Sequence, residues 1–350
     1  MSVVGARPQF VKLGPIARAT QDHADVEHII VHTGQHYDPL LSDVFFRDLG
    51  IPKPDAHLGV GSGTHGRQTG AMLIHMDEVL ENYQPDWVLA YGDTNSTAAA
   101  ALAAAKMHVK LAHLEAGLRS FNRRMPEEHN RVVTDHLADL CLAPTQVAVE
   151  HLAAEGLAER SLLVGDVMTD VCLATRDAVA EADVQVPDAV DPTQPFVLAT
   201  IHRADNTDDP ARLHGILSAL QASRVPVVLL AHPRLVALAG KHGLDLSAGN
   251  LFATEPLTYP QMVRAVMAAA GVVTDSGGLQ KEAFLLGTPT TTIRTETEWT
   301  ETLEDGWNIL DPHLEQLTDV MVRPAPAAER AQPYGDGKAS ERVIQALLAH

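Results

Sequence analysis

The stretch W-V-L-A-Y-G-D-T-N-S-T-A-A-A-A-L-A-A-A-K, Trp87–Lys106, holds one complete passage from a strand into a helix. Trp87–Tyr91 is a short apolar run, which predicts a buried strand, and Asn95–Lys106 is almost pure alanine, which predicts a helix. The polar turn Gly92–Thr94 lies between them. A strand that leads through a polar turn into a helix is the unit from which parallel α/β sheets are built.

The same alternation extends along the chain in both directions. Beyond a short first strand, apolar runs predict further strands at Val26–Val31, Leu111–Leu114, Leu140–Ala143, Phe196–Thr200, Val225–Leu230, Asn250–Ala253, Gly271–Thr274 and Thr290–Ile293. Helices are predicted at Pro126–Leu137 and near Lys338–Ala349. Polar residues follow the strands in both halves, where doubly wound sheets bind their ligands. The chain is therefore predicted to be α/β, with two Rossmann-like doubly wound domains facing a central cleft.

The alternation pauses once, at residues 183–195, which contain three prolines and no helical period. This stretch is predicted to be an interdomain linker. It separates an N-terminal domain, residues 1–182, from a C-terminal domain, residues 196–335. The last helix, within residues 336–350, is expected to pack back on the N-terminal domain.

Composition excludes several classes of partner. The 350 residues are 45% hydrophobic, enough for two cores, and carry a formal charge of −19. A surface this acidic repels nucleic acids and anionic lipids, and no apolar run has membrane-spanning length. Cys141 and Cys172 are far apart and form no CxxC pair, which is typical of reduced buried thiols. We expect a soluble, cytoplasmic protein that binds neither nucleic acid nor membranes.

A candidate anion site follows the predicted strand Gly271–Thr274. The run Asp275–Gly278, D-S-G-G, contains Ser276, Gly277 and Gly278 and precedes a helix predicted to begin at Leu279. The free N–H groups and positive dipole end of such a helix suit a diphosphate. Glu282 would then accept hydrogen bonds from ribose hydroxyls. The alternative is a plain tight turn with Glu282 complementing the helix dipole.

A second candidate anion-binding site lies near the N-terminus. Arg7 is predicted in the loop after the first strand, and Lys12 at the start of the following helix. Both would contribute positive charge to the same ligand. The alternative is a solvated basic pair of no special function.

Carboxylates are concentrated at strand ends in the first half. Asp93 and Glu115 each follow a predicted strand, and Glu127 and Glu128 open the helix after Pro126. Carboxylates gathered in this way can serve as general base and general acid. Asp93 could instead cap a helix, and Glu128 is assigned to complementing the helix dipole.

His202 follows a predicted strand in the second half, where it could hold a phosphate or assist proton transfer.

Metal-binding sequence motifs are missing: there is no HExxH, no calcium-loop spacing and no PCxxC after His113-Leu114-Glu115. We therefore expect no metal in the site.

Taken together, seven motifs resemble the non-hydrolysing UDP-N-acetylglucosamine 2-epimerase family over nearly the whole chain. In order they are G-A-R-P-Q-F-V-K (Gly5–Lys12), H-T-G-Q-H (His32–His36), G-D-T-N-S-T (Gly92–Thr97), H-L-E-A-G-L-R (His113–Arg119), P-E-E-x-N-R (Pro126–Arg131), T-x-H-R-x-D-N (Thr200–Asn206) and D-S-G-G-x-Q-x-E (Asp275–Glu282). The resemblance implies two Rossmann-like domains arranged like a GT-B glycosyltransferase, with the nucleotide sugar in the cleft.

The resemblance also implies a reaction and a set of residues. A base removes the C2 proton of a UDP-activated amino sugar while UDP leaves C1, and UDP then adds back with protonation from the other face. No cofactor is implied, and the family favours a homodimer. The positions that match the family's catalytic residues are Asp93, Glu115, Glu127 and His202. Those that match its nucleotide-binding residues are Arg7, Lys12, Ser276, Gly277, Gly278 and Glu282.

Two departures from the family's pattern refine these expectations. Trp299 replaces an arginine that contacts ligand in the family, as in relatives acting on modified UDP-sugars such as 2,3-diacetamido uronic acids. The run Tyr37–Pro39 interrupts the motif of the family's allosteric site, which predicts rates without strong sigmoidicity.

Three other functions remain open at this point. They are a GT-B-like glycosyltransferase, a non-catalytic nucleotide-sugar binding protein, and a hydrolysing epimerase that releases free N-acetylmannosamine. The strand-end carboxylates argue against the transferase, because a transferase needs one base and an acceptor groove.

Overall fold

A computed structural model describes residues 1–35, 51–328 and 330–350, and only the backbone of Arg7. His36 and the run Tyr37–Pro39, on which the prediction of non-sigmoidal rates depends, lie outside the described residues. The chain divides into two compact units. The first unit is Met1–Val171 together with Gln332–His350, and the second is Cys172–Ala331.

The first unit is built on one parallel sheet of seven strands, ordered β3-β2-β1-β4-β5-β6-β7. Its strands are β1 (Ser2–Val4), β2 (Ile30–His32), β3 (Ala56–His57), β4 (Trp87–Tyr91), β5 (Lys110–Leu114), β6 (Leu140–Ala143) and β7 (Ser161–Leu163). The helices are α1 (Arg7–Gln21), α2 (His65–Tyr83), α3 (Asn95–Lys106), α4 (Pro126–Leu137), α5 (Gln146–Ala154) and α6 (Val167–Ala178), with a 3₁₀ turn at Ala158–Arg160. The division between the units falls within α6.

The second unit is built on a parallel sheet of six strands, ordered β10-β9-β8-β11-β12-β13. Its strands are β8 (Val197–Thr200), β9 (Val227–Leu230), β10 (Leu251–Thr254), β11 (Gly271–Thr274), β12 (Thr290–Thr292) and β13 (Asn308–Leu310). The helices are α7 (Ala204–Thr207), α8 (Pro210–Gln221), α9 (Pro233–His242), α10 (Tyr259–Ala268), α11 (Gly277–Leu286) and α12 (Leu317–Val320), with a kinked 3₁₀ segment at Thr300–Gly306. The last helix, α13 (Ala339–Ala349), belongs to the first unit.

Both sheets have the doubly wound order, in which the strand sequence reverses beside the first strand. The prediction of two doubly wound α/β domains is confirmed. The reversal lies between β1 and β4 in the first unit and between β8 and β11 in the second. Ligands of such sheets bind beyond the carboxyl ends of the strands that flank this reversal. These two strand pairs therefore locate the regions in which a site is expected.

Packing explains the alanine-rich helix α3. Ala98–Ala101, Ala103 and Ala104 are all buried, and α3 packs on both α2 and α4. A helix covered on several sides needs small side chains so that its neighbours can approach closely. This packing fixes the N-terminus of α3, which follows the turn Gly92–Thr94.

Residues 183–195, predicted as a linker, are part of the second unit. Val184, Val186 and Val190 pack on the apolar cluster that contains Phe196 and Leu198. The prolines interrupt regular structure here, but the valines still contribute apolar area to the core.

Cys141 and Cys172 are both buried and free, and burial raises the pKa of each thiol to about 12. Neither side chain is a thiolate near neutral pH, so neither is a nucleophile. Within the described ranges, no helix has the length and apolar character that crossing a membrane requires.

Candidate active site

Asp93 and Glu115 lie side by side at the carboxyl ends of β4 and β5. These strands pair in register, with Tyr91 opposite Leu114, and the Gly92 N–H donates to the Leu114 carbonyl at 3.0 Å. Gly92 has φ of +62°, and a Cβ there would lie 3.2 Å from Glu115 Oε2. The missing side chain at Gly92 therefore leaves room for the Glu115 carboxylate.

Glu115 itself has φ of +70°, in the left-handed region that few non-glycine residues occupy. Such strain persists where the surrounding structure enforces it, and it concentrates at functional sites. The side chain is nearly buried and forms an ion pair with Lys12.

Lys12 reaches Glu115 from the second turn of α1, because α1 begins at Arg7 rather than at Lys12. The earlier start follows from Pro8, whose fixed φ suits the first turn of a helix. Burial opposes the charge on Lys12, but Glu115, with Asp93 and Asp166 further away, raises the pKa of Lys12 above its ordinary value. The lysine therefore stays an ammonium inside the carboxylate cluster formed by Asp93 and Glu115. Arg7 is the first residue of α1, and its side chain lies outside the described residues.

Arg131 on α4 connects two carboxylates, Asp93 and Glu128. Its Nη2 donates to Asp93 Oδ2 at 2.5 Å, and its Nη1 donates to Glu128 Oε2 at 3.1 Å. Asn130 also donates from Nδ2 to the Asp93 carbonyl at 2.9 Å. The start of α4 therefore holds both the backbone and the side chain of Asp93.

Glu128 is buried, and its contacts give it a different role from dipole complementation. It accepts hydrogen bonds from Ser120 N, Ser120 Oγ and Phe121 N, each at 2.9 Å. Burial opposes ionisation, but these donors and Arg131 outweigh it and hold the pKa of Glu128 below its ordinary value. Glu127, one residue earlier, is half-buried and has no side-chain partner among the described residues.

A largely buried ionic network holds the ends of these two strands in place. His113 on β5 contacts Asp135 Oδ1 through Nδ1 at 2.5 Å and the Gly92 carbonyl through Nε2 at 2.7 Å. A carbonyl oxygen only accepts, so Nε2 is the donor in the contact with Gly92. Arg119 donates to the other Asp135 oxygen at 2.7 Å and to Glu155 through two hydrogen bonds. The network anchors the turn that carries Gly92 and Asp93.

Several members of these networks were assigned no site role from the sequence, among them His113, Arg119, Arg131 and Asp135. Their signal was present, since His113 is an ionisable residue inside an apolar strand and must be paired there. Its partner Asp135, however, is on a different element 22 residues away, and sequence pattern alone does not specify that pairing.

We expect Asp135→Asn to destabilise the first unit strongly, and more at neutral than at acidic pH. Burial alone would raise the pKa of Asp135, but His113 and Arg119 hold it below the ordinary 3.8. The folded-state pKa is thus depressed, so the carboxylate stabilises the fold above about pH 3.8, and that contribution is lost as pH falls through the folded pKa. Breaking a buried ion pair costs about 3–5 kcal/mol.

Urea denaturation of the wild type and the variant at about pH 7 and about pH 3 measures this difference directly. Asp77→Asn, at an exposed position of α2, is the control and should unfold like the wild type. A loss under about 1 kcal/mol at neutral pH, or a loss that grows in acid, would contradict the assigned ion pair.

In the second unit, Asp275 organises the ends of β8 and β11. It is fully buried and accepts from the backbone N–H groups of His202 and Arg203 and from Asn206 Nδ2, at 3.0–3.1 Å. Its carboxylate also lies 3.0 Å from His202 Nδ1. Burial opposes ionisation, but His202 and these donors hold the pKa of Asp275 below its ordinary value. The carboxylate fixes the His202 ring, whose side chain is 41% exposed and whose Nε2 has no hydrogen-bond partner among the described residues.

The Ser276–Gly278 turn forms the N-terminus of α11, which begins at Gly277 rather than at Leu279. The earlier start has a local cause: the Ser276 side chain is the N-cap and accepts from Leu279 N. A Cβ at Gly277 would lie 2.2 Å from Glu298 Oε1, whereas one at Gly278 would meet no described atom within 4 Å. The helix N-terminus is therefore closed on its Gly277 side and open on its Gly278 side. Glu282, in the second turn, is buried.

Trp299 lies beside this helix start. The Lys281 ammonium sits 4.1 Å from the centre of the Trp299 ring, and Glu298 pairs with Arg294 at 2.9 Å. The structure thus brings Lys12, Asp93 and Glu115 together in the first unit. It brings His202 and Ser276–Gly278 to neighbouring strand ends in the second.

Comparison with known proteins was made on the whole chain. A family model described as UDP-N-acetylglucosamine 2-epimerase matches residues 18–348. UDP-2,3-diacetamido-2,3-dideoxy-D-glucuronate 2-epimerase of Pseudomonas aeruginosa is 43% identical, covering 99% of this chain and 98% of that protein. UDP-N-acetylglucosamine 2-epimerase of Methanocaldococcus jannaschii is 37% identical, covering 99% and 97%. The crystal structure of the M. jannaschii UDP-GlcNAc 2-epimerase in complex with UDP-GlcNAc and UDP matches 100% of this chain and 98% of that chain, with a TM-score of 0.82 at 36% identity.

Proposed function

The chain belongs to the UDP-N-acetylglucosamine 2-epimerase family, and from this premise we propose that it is an isomerase that inverts C2 of a UDP-linked 2-acetamido sugar. The substrate is UDP-GlcNAc, converted to UDP-ManNAc, or a close analogue. The observation that carries the proposal is the pair of strand-end carboxylates, Asp93 and Glu115, each held against a cation that is largely shielded from solvent.

In the proposed reaction the C1–O bond breaks and UDP leaves with the electron pair, so that an oxocarbenium-like centre develops at C1. A base then removes the C2 proton, and the C–H electron pair forms the C1=C2 double bond of a 2-acetamidoglucal. In the return step an oxygen of UDP bonds to C1, and C2 receives a proton on the opposite face. Two separate acid–base groups are needed, because one group does not easily serve both faces.

We assign these roles to Asp93, Glu115 and Glu127, at least two of which act directly. Glu115 is paired with Lys12 and Asp93 with Arg131, so each carboxylate is held in a defined direction, which suits proton removal and stabilisation of the cationic centre. Glu127 has no side-chain partner among the described residues and so can exchange a proton without first breaking an ion pair.

The nucleotide is assigned to groups with positive potential. The N-terminus of α11, at Ser276, Gly277 and Gly278, holds the diphosphate, with His202 Nε2 as a further donor. Arg7 and Lys12 supply additional positive charge. Glu282 accepts from the ribose hydroxyls.

The sugar itself has two candidates, and Trp299 favours the second. The relative of P. aeruginosa at 43% identity is a 2-epimerase of UDP-2,3-diacetamido-2,3-dideoxy-D-glucuronate. Trp299 stands where the family pattern has an arginine that contacts ligand, so the site departs from the usual UDP-GlcNAc arrangement. We propose that a substituted sugar of this kind is epimerised as well as, or instead of, UDP-GlcNAc.

Incubating the protein with each sugar nucleotide in turn, followed by proton NMR, tests the proposal. The expected result is a C2 epimer that remains attached to UDP, formed without any acceptor. Turnover only with an acceptor would indicate a glycosyltransferase, and no change with either sugar would indicate a binding protein. Free sugar plus UDP as the sole products would indicate a hydrolysing epimerase. Any of these three results would contradict the proposal.

We further propose that the protein works as a homodimer in the cytoplasm, on the strength of the family resemblance. Light scattering on the purified protein would read twice the mass of one chain if the dimer forms. A single-chain mass at micromolar concentration would contradict it.

A further inference from the structure

Glu128 is connected to more of the site than its place in the first turn of α4 suggests. Its two oxygens accept four hydrogen bonds, three from Ser120 and Phe121 and one from Arg131. The carboxylate is therefore fully engaged and does not point a free oxygen toward a substrate. Glu128 therefore connects the loop that contains Ser120 and Phe121 to the Arg131 guanidinium.

Arg131 in turn connects Glu128 to Asp93. The guanidinium is nearly buried, and its two terminal nitrogens bond to different carboxylates, Glu128 at 3.1 Å and Asp93 at 2.5 Å. A planar fork held at both ends has little freedom to rotate. The direction of the Asp93 carboxylate therefore depends on Glu128, although Glu128 does not contact Asp93.

The same carboxylate holds the loop 118–125, which joins β5 to α4. Phe121 in this loop has φ of +57° and is 72% exposed, a costly arrangement for a large apolar residue. Two of the Glu128 hydrogen bonds come from the backbone N–H groups of Ser120 and Phe121. They supply the constraint that keeps this strained turn in place beside the carboxylate cluster.

We propose that Glu128 is a positioning residue for the C2 inversion. Through Arg131 it sets the orientation of Asp93, and through Ser120 and Phe121 it fixes the loop 118–125 next to the same carboxylates. This inference rests on the proposed function, because it assigns Glu128 a part in that reaction.

Glu128→Gln should therefore lower kcat by about 10- to 100-fold, the scale of a small misplacement of a reacting group. A glutamine accepts through only one oxygen, so some of the four donors lose their partner. With the amide nitrogen in place of Oε2, Arg131 is left to pair with Asp93 alone; with the amide nitrogen in place of Oε1, Phe121 N loses its acceptor. Affinity for UDP, measured by calorimetry, should stay within about 2-fold of the wild type, because the residues assigned to the nucleotide are untouched.

A double-mutant cycle separates positioning from a general structural role. If Glu128 acts through Asp93, adding Glu128→Gln to Asp93→Asn should change the residual rate by less than about 3-fold. Deuterium exchange at C2 is sensitive enough to follow the slow variants. Arg131→Lys, which keeps the charge but loses the fork, should show the same lack of additivity with Asp93→Asn and serves if Glu128→Gln does not fold. Glu150→Gln, at an exposed position of α5, is the control and should keep the wild-type rate.

Losses that multiply in the double variant, or a Glu128→Gln enzyme at the wild-type rate, would overturn the positioning role. A wild-type protein that epimerises neither sugar nucleotide would instead overturn the proposed function, so the two failures are distinguishable.

Discussion

Replacing Asp93, Glu115 or Glu127 by the corresponding amide is expected to lower kcat by about 10²- to 10⁴-fold while leaving UDP binding in place. That is the range a positioned acid or base contributes. The C2 proton of a 2-acetamido sugar is very weakly acidic, so its removal depends on a well-placed carboxylate and on stabilisation of the cationic centre. An amide keeps the shape of the side chain but can do neither.

The three variants should differ in stability. Glu115→Gln leaves the largely shielded Lys12 ammonium without its counter-ion, so this variant should be the least stable. Combining it with Lys12→Met should restore stability without restoring rate. Glu127→Gln should unfold like the wild type, because no side-chain hydrogen bond or ion pair within the described part of the chain is lost.

Initial rates from NMR, with UDP titrations and thermal denaturation of each variant, measure these effects. A variant slowed mainly in the addition step should release the 2-acetamidoglucal and UDP. Near-wild-type rates in all three variants would show that these carboxylates do not act in the reaction.

Gly278→Asp should weaken UDP binding by about 10²-fold, whereas Gly278→Ala should change it little. Within the described part of the chain, a Cβ at this position meets no atom within 4 Å, so the surroundings exclude neither side chain. The aspartate places a negative charge at the N-terminus of α11, where the diphosphate is assigned. At about 6 Å and an effective dielectric constant of about 20, two like charges repel by roughly 3 kcal/mol, which corresponds to about 10²-fold.

The aspartate is also compatible with folding, because an acidic residue in the first turn favours the helix dipole. Calorimetric titration of UDP into both variants at low ionic strength compares their affinities for UDP. Added salt should reduce the difference in affinity between them. Equal affinities for the alanine and aspartate variants would show that the diphosphate binds elsewhere.

The sequence predicted the central strands well, because they are buried on both faces and read as unbroken apolar runs. Trp87–Tyr91, Leu140–Ala143 and Gly271–Thr274 have the predicted bounds, as do the helices Asn95–Lys106 and Pro126–Leu137. The strand predicted at Val26–Val31 begins only at Ile30. Its partner β1 starts opposite that residue, at Ser2, so the preceding residues have no strand to pair with.

Three short strands were missed. β3, β7 and β13 have only two or three residues and lie at or near sheet edges, where the apolar signal is weak. They become strands because a neighbour offers backbone partners, and that information is tertiary.

For the candidate site, the sequence located the strand-end residues but not their pairing. Strand ends follow from local pattern, so Asp93, Glu115 and His202 could be singled out. The partner of Glu115 is Lys12, 103 residues away, and the link between Glu128 and Asp93 passes through Arg131. Such contacts depend on which strands become neighbours, and the strand order is set by the fold as a whole.

The most direct test of the central claim, C2 inversion by proton exchange, is the reaction in D₂O. The UDP-sugar that the protein converts is incubated in D₂O, and the product is analysed by proton NMR and mass spectrometry. The account predicts that the epimer carries deuterium at C2, because the original proton leaves to a carboxylate and the returning proton comes from a group that exchanges with solvent. An epimer formed with its original hydrogen retained at C2 would contradict it.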